Sequence, residues 1–265
     1  MTPSPWSFTF EPLFVALGVA ATWLYVRAWR RTEPGAPRWR AVLFGAGLVM
    51  IVAALNSPME TIAVEYLVLF HLLQNVMISN WAPPLLILGL TPAMRAEVAV
   101  RLGGWFASIT RPAVALPTWL LGWYIVHLGA VYDALLRNSI LLNLEHLFLI
   151  AIGLLFWWPV LADAPRSVAT LIRLAYVFGA FVGSAFLGLA LTFAPPIYGY
   201  YVERPRLWGI SAAADQNLGG VLMTTEQAVV VFAAVVWLLM KLLREEEEAE
   251  RRLAEEQRAA GLRDH

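Results

Sequence analysis

Three of the chain's four histidines, His71, His127 and His146, stand in or beside long apolar runs. An ionisable group at membrane depth is costly unless it is paired or used, so each is a candidate for chemistry. Two of them bring polar company at helical spacing. His71, Gln74 and Asn75 stand at i, i+3 and i+4, and Asn143 and His146 at i, i+3, so each set forms a stripe on one helix face. Glu145 directly precedes His146 and points about 100° away from it around a helix. Tyr132 and Asp133 follow His127, while Asp215 and Gln216 precede Gly219-Gly220 and Met223. Imidazoles on separate helices, completed by a thioether or carboxylate, make a site for copper, zinc, iron or nickel, and thioether company favours Cu(I). The candidate ligands are therefore His71, His127, His146 and Met223. Gln74, Asn75, Asn143, Glu145, Asp133, Tyr132, Asp215 and Gln216 are the polar groups expected around them. Two other readings stay open. Two of the imidazoles suffice to hold a haem b from both faces, or all three histidines serve only as hydrogen-bonding groups between helices.

Glu226 is a separate candidate. It lies about nine residues, or about 14 Å, into the last apolar run, where it serves either as a proton relay or as a structural hydrogen-bond acceptor. Other chemistries are excluded. The chain has no cysteine, which removes disulfides, thiolate metal sites and thiol nucleophiles. Ser184 has no histidine nearby in sequence, no phosphate-cradling glycine loop is present, and Lys241 is the single lysine. These features point away from an enzyme. A formal charge of zero, from 19 basic and 19 acidic residues, gives no general attraction for nucleic acid.

The elements that must position these groups are membrane helices. Hydrophobic residues make up 60% of the 265 residues and charged residues 14%, with mean hydropathy +0.65. That is more apolar surface than a soluble fold of this size can hide, so the main solvent is the lipid bilayer. Apolar runs near the length needed to span a bilayer occur at 12–26, 41–55, 62–90, 113–128, 140–161, 174–193 and 218–240. The expected fold is thus all-α, a polytopic bundle of seven transmembrane helices. Its third run carries Pro83-Pro84 and is expected to kink. With the N-terminus outside, 16 of the 19 basic residues fall on the inner side and only Arg137, Arg204 and Arg206 outside, which selects N-out, C-in. Residues 1–240 form the transmembrane domain. Residues 241–265 form a charged cytoplasmic tail of interleaved Arg and Glu, expected as a solvated helix laced with local ion pairs or as disorder.

Several blocks together resemble a known family. Phe70-His71-Leu72-Leu73-Gln74-Asn75 leads to Ala82-Pro83-Pro84-Leu85-Leu86 and Leu88-Gly89. Then come Tyr132-Asp133-Ala134, Leu144-Glu145-His146 with Phe156-Trp157-Trp158-Pro159-Val160, and Asp215-Gln216-Asn217-Leu218-Gly219-Gly220. In this order, across about residues 57–224, they resemble the CtaG family of cytochrome c oxidase assembly factors. The resemblance implies a seven-helix protein of the bacterial plasma membrane that is needed to make active haem–copper oxidase and has a part in supplying copper. Its partners would be oxidase subunits or copper chaperones. The family's histidines carry over onto His71, His127 and His146, and its acid–amide pair onto Asp215-Gln216. Where family members often have further histidines this chain has Asn75 and Leu142, and Gly129 replaces a common proline. At most three imidazoles remain, enough for one copper.

Overall fold

The structure, a computed structural model, describes residues 2–31 and 35–261; His265 lies outside the described residues. The fold is all-α, 80% helical, with no strands among the described residues. The helices are α1 (Pro12–Trp29), α2 (Trp39–Leu55), α3 (Pro58–Glu65), α4 (Val68–Val76), α5 (Ala82–Gly89), α6 (Pro92–Ile109), α7 (Pro112–Val126), α8 (Gly129–Leu136), α9 (Ser139–Leu161), α10 (Thr170–Phe193), α11 (Gly199–Val202) and α12 (Ala212–Gly261). Four of them, α1, α9, α10 and α12, are long and apolar enough to cross a membrane. The pairs α2–α3 and α7–α8, bent by 48° and 70°, raise the number to six if each is one span.

The third expected run does not form one uniform helix. Residues 62–90 divide into the end of α3, then α4, a π-helical turn at Met77–Trp81, and α5. From Val68 to Gly89 these stretches are contiguous, and Met77 and Ala82 at the joints keep helical backbone angles. The cause is Pro83-Pro84. Neither has the N–H that an α-helix would direct at the carbonyls of Ser79 and Asn80, so the turn before them widens. Residues 92–109, expected as part of an inner connection, form α6, which contains a break at Gly103 (φ 65°).

Close contacts fix the bundle around this widened turn. The π turn and α5 lie on α9, and α4 packs against α3 and α12. A Cβ on Gly153 of α9 would sit 2.1 Å from the Ser79 carbonyl oxygen and 2.9 Å from the Pro83 ring, so only glycine allows α9 this near. Gly219-Gly220 permits close approach of α12 to its neighbours: a Cβ on Gly220 would meet Thr192 of α10 at 2.5 Å, and one on Gly219 would meet Leu72 of α4 at 2.5 Å. The opposite end is locked by arginine. Arg173, buried, donates to the carbonyls of Val160 and Val168 at 2.8 and 2.9 Å and to Asp163. Arg95 donates to Leu161 O at 2.5 Å. Beyond the apolar part α12 continues unbroken past Lys241, with i,i+4 pairs Lys241–Glu245, Glu247–Arg251 and Glu248–Arg252, as the helical reading of the tail expects.

Gly153→Ala is expected to destabilise the bundle by about 1–3 kcal/mol through overpacking, seen as a lower melting temperature in detergent. Gly45→Ala in α2, where an added Cβ meets nothing within 4 Å, should leave it unchanged or raise it.

Candidate metal centre

His71 of α4 meets Glu145 and His146 of α9, and one ligand atom from each lies within 4.8 Å of the others. All three side chains are buried. Local structure places them. The α4 helix has no capping side chain of its own; instead the Asp215 carboxylate at the start of α12 accepts from the backbone N–H of Val68 at 3.0 Å and Leu69 at 2.9 Å. An anion there matches the positive end of the helix dipole, and Arg206 at 3.2 Å balances its charge. The α9 helix starts with Asn138 accepting from Ile140 and Leu141 N–H. Its first turns are tied to the N-terminal segment by Asn143 Nδ2 donating to Glu11 Oε2 at 3.0 Å.

The hydrogen bonds determine which atoms are free. The Tyr201 hydroxyl donates its proton to Ala63 O at 2.5 Å and lies 3.0 Å from His71 Nδ1. With that proton committed, the hydroxyl oxygen accepts from His71 Nδ1–H, so in the neutral imidazole Nε2 keeps its lone pair. That Nε2 has no hydrogen-bond partner and lies 3.7 Å from Glu145 Oε2, which also has none. Glu145 Oε1 takes the Asn75 amide at 3.2 Å. Neither nitrogen of His146 is hydrogen-bonded; its ring is held by Phe14 (centroids 6.0 Å) and by the His71 ring (5.8 Å). Buried polar atoms are normally satisfied, so unpaired nitrogen and oxygen atoms from three neighbouring side chains mark a place for a guest. A cation fits. Bonds of about 2.0–2.2 Å place tetrahedral donors roughly 3.3–3.6 Å apart, a few tenths of an ångström inside the His71–Glu145 separation.

The remaining expected residues separate into neighbours and anchors. His127 is not in the three-residue group. Its Nδ1 is 2.7 Å from Trp123 O, its Nε2 is buried without a hydrogen-bond partner, and the Tyr132 ring packs against both it and His71, with centroids 5.9 and 5.0 Å away respectively. Met223 is buried in the hydrophobic core. Gln74 donates to Ala54 O at 2.7 Å and to Glu60. Asp133 accepts from Tyr200 N–H at 3.1 Å, and Gln216 bonds Ile197 N–H and the carbonyls of Leu191, Ala194 and Pro195, which together hold the loop carrying Tyr201. Glu226, about 21 Å from the start of α12 at 1.5 Å per residue, accepts from Trp81 Nε1 at 2.7 Å and Asn80 Nδ2 at 3.4 Å, inside the π turn and away from the histidines.

Glu145 stands in the cluster itself, although it points about 100° away from His146 around the helix. Adjacent side chains 100° apart still meet when their target, here His71, lies between their directions. Sequence reasoning missed two further groups, Tyr201 and Glu60. Ser57-Pro58-x-Glu60 is a helix-start signature and announces α3, which carries Glu60. Nothing local announces Tyr201, 130 residues from His71.

Residues 22–245 match the family model described as cytochrome c oxidase caa3 assembly factor (Caa3_CtaG). The chain belongs to this family. No curated protein and no solved structure matches it. All three residues of the cluster, and Tyr201, fall inside the stretch matched to Caa3_CtaG.

Tyr201→Phe removes the acceptor that fixes the His71 ring, and losing such a supporting bond should weaken binding of added Cu2+ about 10–100-fold in a chelator competition. Tyr198→Phe, which removes only a 3.3 Å bond to His127 O, should change it little.

Proposed function

We propose that this CtaG-family protein works in the bacterial plasma membrane as an assembly factor for a haem–copper cytochrome c oxidase, holding one copper ion as cargo through His71, His146 and Glu145. The observation that carries this reading is the set of buried, unpaired donor atoms on those three side chains, with His71 turned by Tyr201 so that its Nε2 lone pair faces Glu145. Copper binds nitrogen–oxygen sites more tightly than the other divalent first-row metals. His127, whose Nε2 is equally unpaired beside Tyr132, is the ligand available for passing the ion on, with Met223 as a thioether on the neighbouring helix. Copper chaperones would supply the ion and an oxidase subunit would receive it. No catalytic residue is assigned.

In the membrane the contiguous helix at residues 68–89 is read as the third of seven spans, with the N-terminus outside and the C-terminus inside. Two features support this. His71 and His146 lie near the starts of α4 and α9, and the arginines gather at the other end, where Arg95 caps Leu161 about 24 Å along α9 from Glu145. A haem b between His71 and His146 has less support, because the Glu145 carboxylate shares the space of their rings.

Protein purified from copper-replete cells is expected to carry one copper ion per chain, and His71→Ala to lose both the metal and the assembly of active oxidase. Protein that stays metal-free on titration would overturn the copper reading. Normal oxidase activity with His71, His127 and His146 all changed to Asn would leave a cofactor-free chaperone. A Soret band would establish haem.

A further inference from the structure

At the arginine-rich end a groove of about 390 Å3 opens between α1 and α6, closed at its back by Phe44 of α2 and Leu90. Its walls are apolar and built: the Tyr25 ring stacks on Phe44 at 4.0 Å, and its hydroxyl donates to Gly89 O at 3.0 Å. Leu24 faces Met94 and Val98 across it. Its rim is charged, carrying Arg27, Arg31, Arg101 and a single acid, Glu97. Glu97 pairs with Arg101 at 2.5 Å. Among the described residues Arg27 and Arg31 have no carboxylate partner; Arg27 lies over the Trp23 ring at 5.4 Å. Nearby arginines are already engaged, Arg40 on the carbonyls of Leu88 and Leu90 and Arg95 on Leu161 O. Among the described residues, the rim therefore holds two positive charges without a compensating carboxylate.

The α6 helix shows what surrounds this groove. It carries Arg95 and Arg101 yet exposes Val100 (80%) and Trp105 (65%), the pattern of a helix lying at a headgroup–acyl boundary. The apolar span of α1 is only 11% buried within the protein, so the groove is open to lipid along one side. We propose that it binds an anionic phospholipid, with the phosphate between Arg27, Arg31 and Arg101 and an acyl chain along Leu24, Met94 and Val98. Only an amphiphile matches both parts. A free phosphate would leave the apolar walls unfilled, and a zwitterionic lipid would bring its own cation to a rim already in positive excess. This site is independent of the copper reading.

The test is native mass spectrometry of the full detergent-solubilised chain with added phosphatidylglycerol or phosphatidylcholine. Two uncompensated arginines predict a preference for phosphatidylglycerol of roughly 30-fold. Arg27→Gln with Arg31→Gln should abolish the preference. Met94→Trp, which fills the groove and leaves its charges in place, should lower binding of both lipids, and inorganic phosphate at equal concentration should not displace the bound lipid. Equal binding of the two lipids by the unaltered protein, a preference that survives the double arginine variant, or displacement by inorganic phosphate would each overturn the proposal.

Discussion

One hydroxyl proton sets the chemistry of the centre. Tyr201 gives its proton to Ala63 O, so it can only accept from His71, and a neutral His71 then presents an unprotonated Nε2 to Glu145. In a lipid-embedded bundle an unpaired lone pair is expensive, so the surrounding structure has to hold it in place. Asp215 on the first amides of α4 and Gln216 on the turn after α10 hold the two segments that carry His71 and Tyr201. Both come from the start of α12. The end of one long helix thereby positions both members of the pair.

The widened turn before Pro83-Pro84 has a similar role at mid-bundle. It brings Trp81 and Asn80 onto the Glu226 carboxylate and presses the Ser79 carbonyl against α9 at Gly153. The same α9 carries Glu145 and His146 at its beginning and ends under Arg95 and the Arg173 lock. The molecule is thus two-ended: imidazole and carboxylate chemistry near the starts of α4 and α9, cationic chemistry at the far end, and apolar packing between.

Much of this was legible in the sequence. The apolar runs, the close approach at Gly219-Gly220 and the ion-paired tail follow from composition and period. His71 and His146 were legible because a polar stripe on an apolar helix has to face inward. Four things were not. The π turn follows from two consecutive prolines only once neighbouring helices decide whether the chain kinks, breaks or widens. The role of Glu145 depends on where His71 lies between two directions 100° apart, which is tertiary information. That His127 falls outside the cluster, although the Tyr132 ring packs against both it and His71, is likewise tertiary, and the Tyr201 contact joins residues 130 apart. Spacing along a helix reports which face a group occupies, whereas distances between helices are set by the side chains packed between them.

X-ray absorption at the copper edge of the purified, copper-loaded protein tests the assignment most directly. The predicted spectrum has a nearest shell of nitrogen and oxygen with the outer scattering of two imidazoles, and this protein-bound signal is absent from His71→Ala. A sulfur-dominated shell, or an imidazole signal unchanged by that substitution, would contradict the centre described for His71, Glu145 and His146.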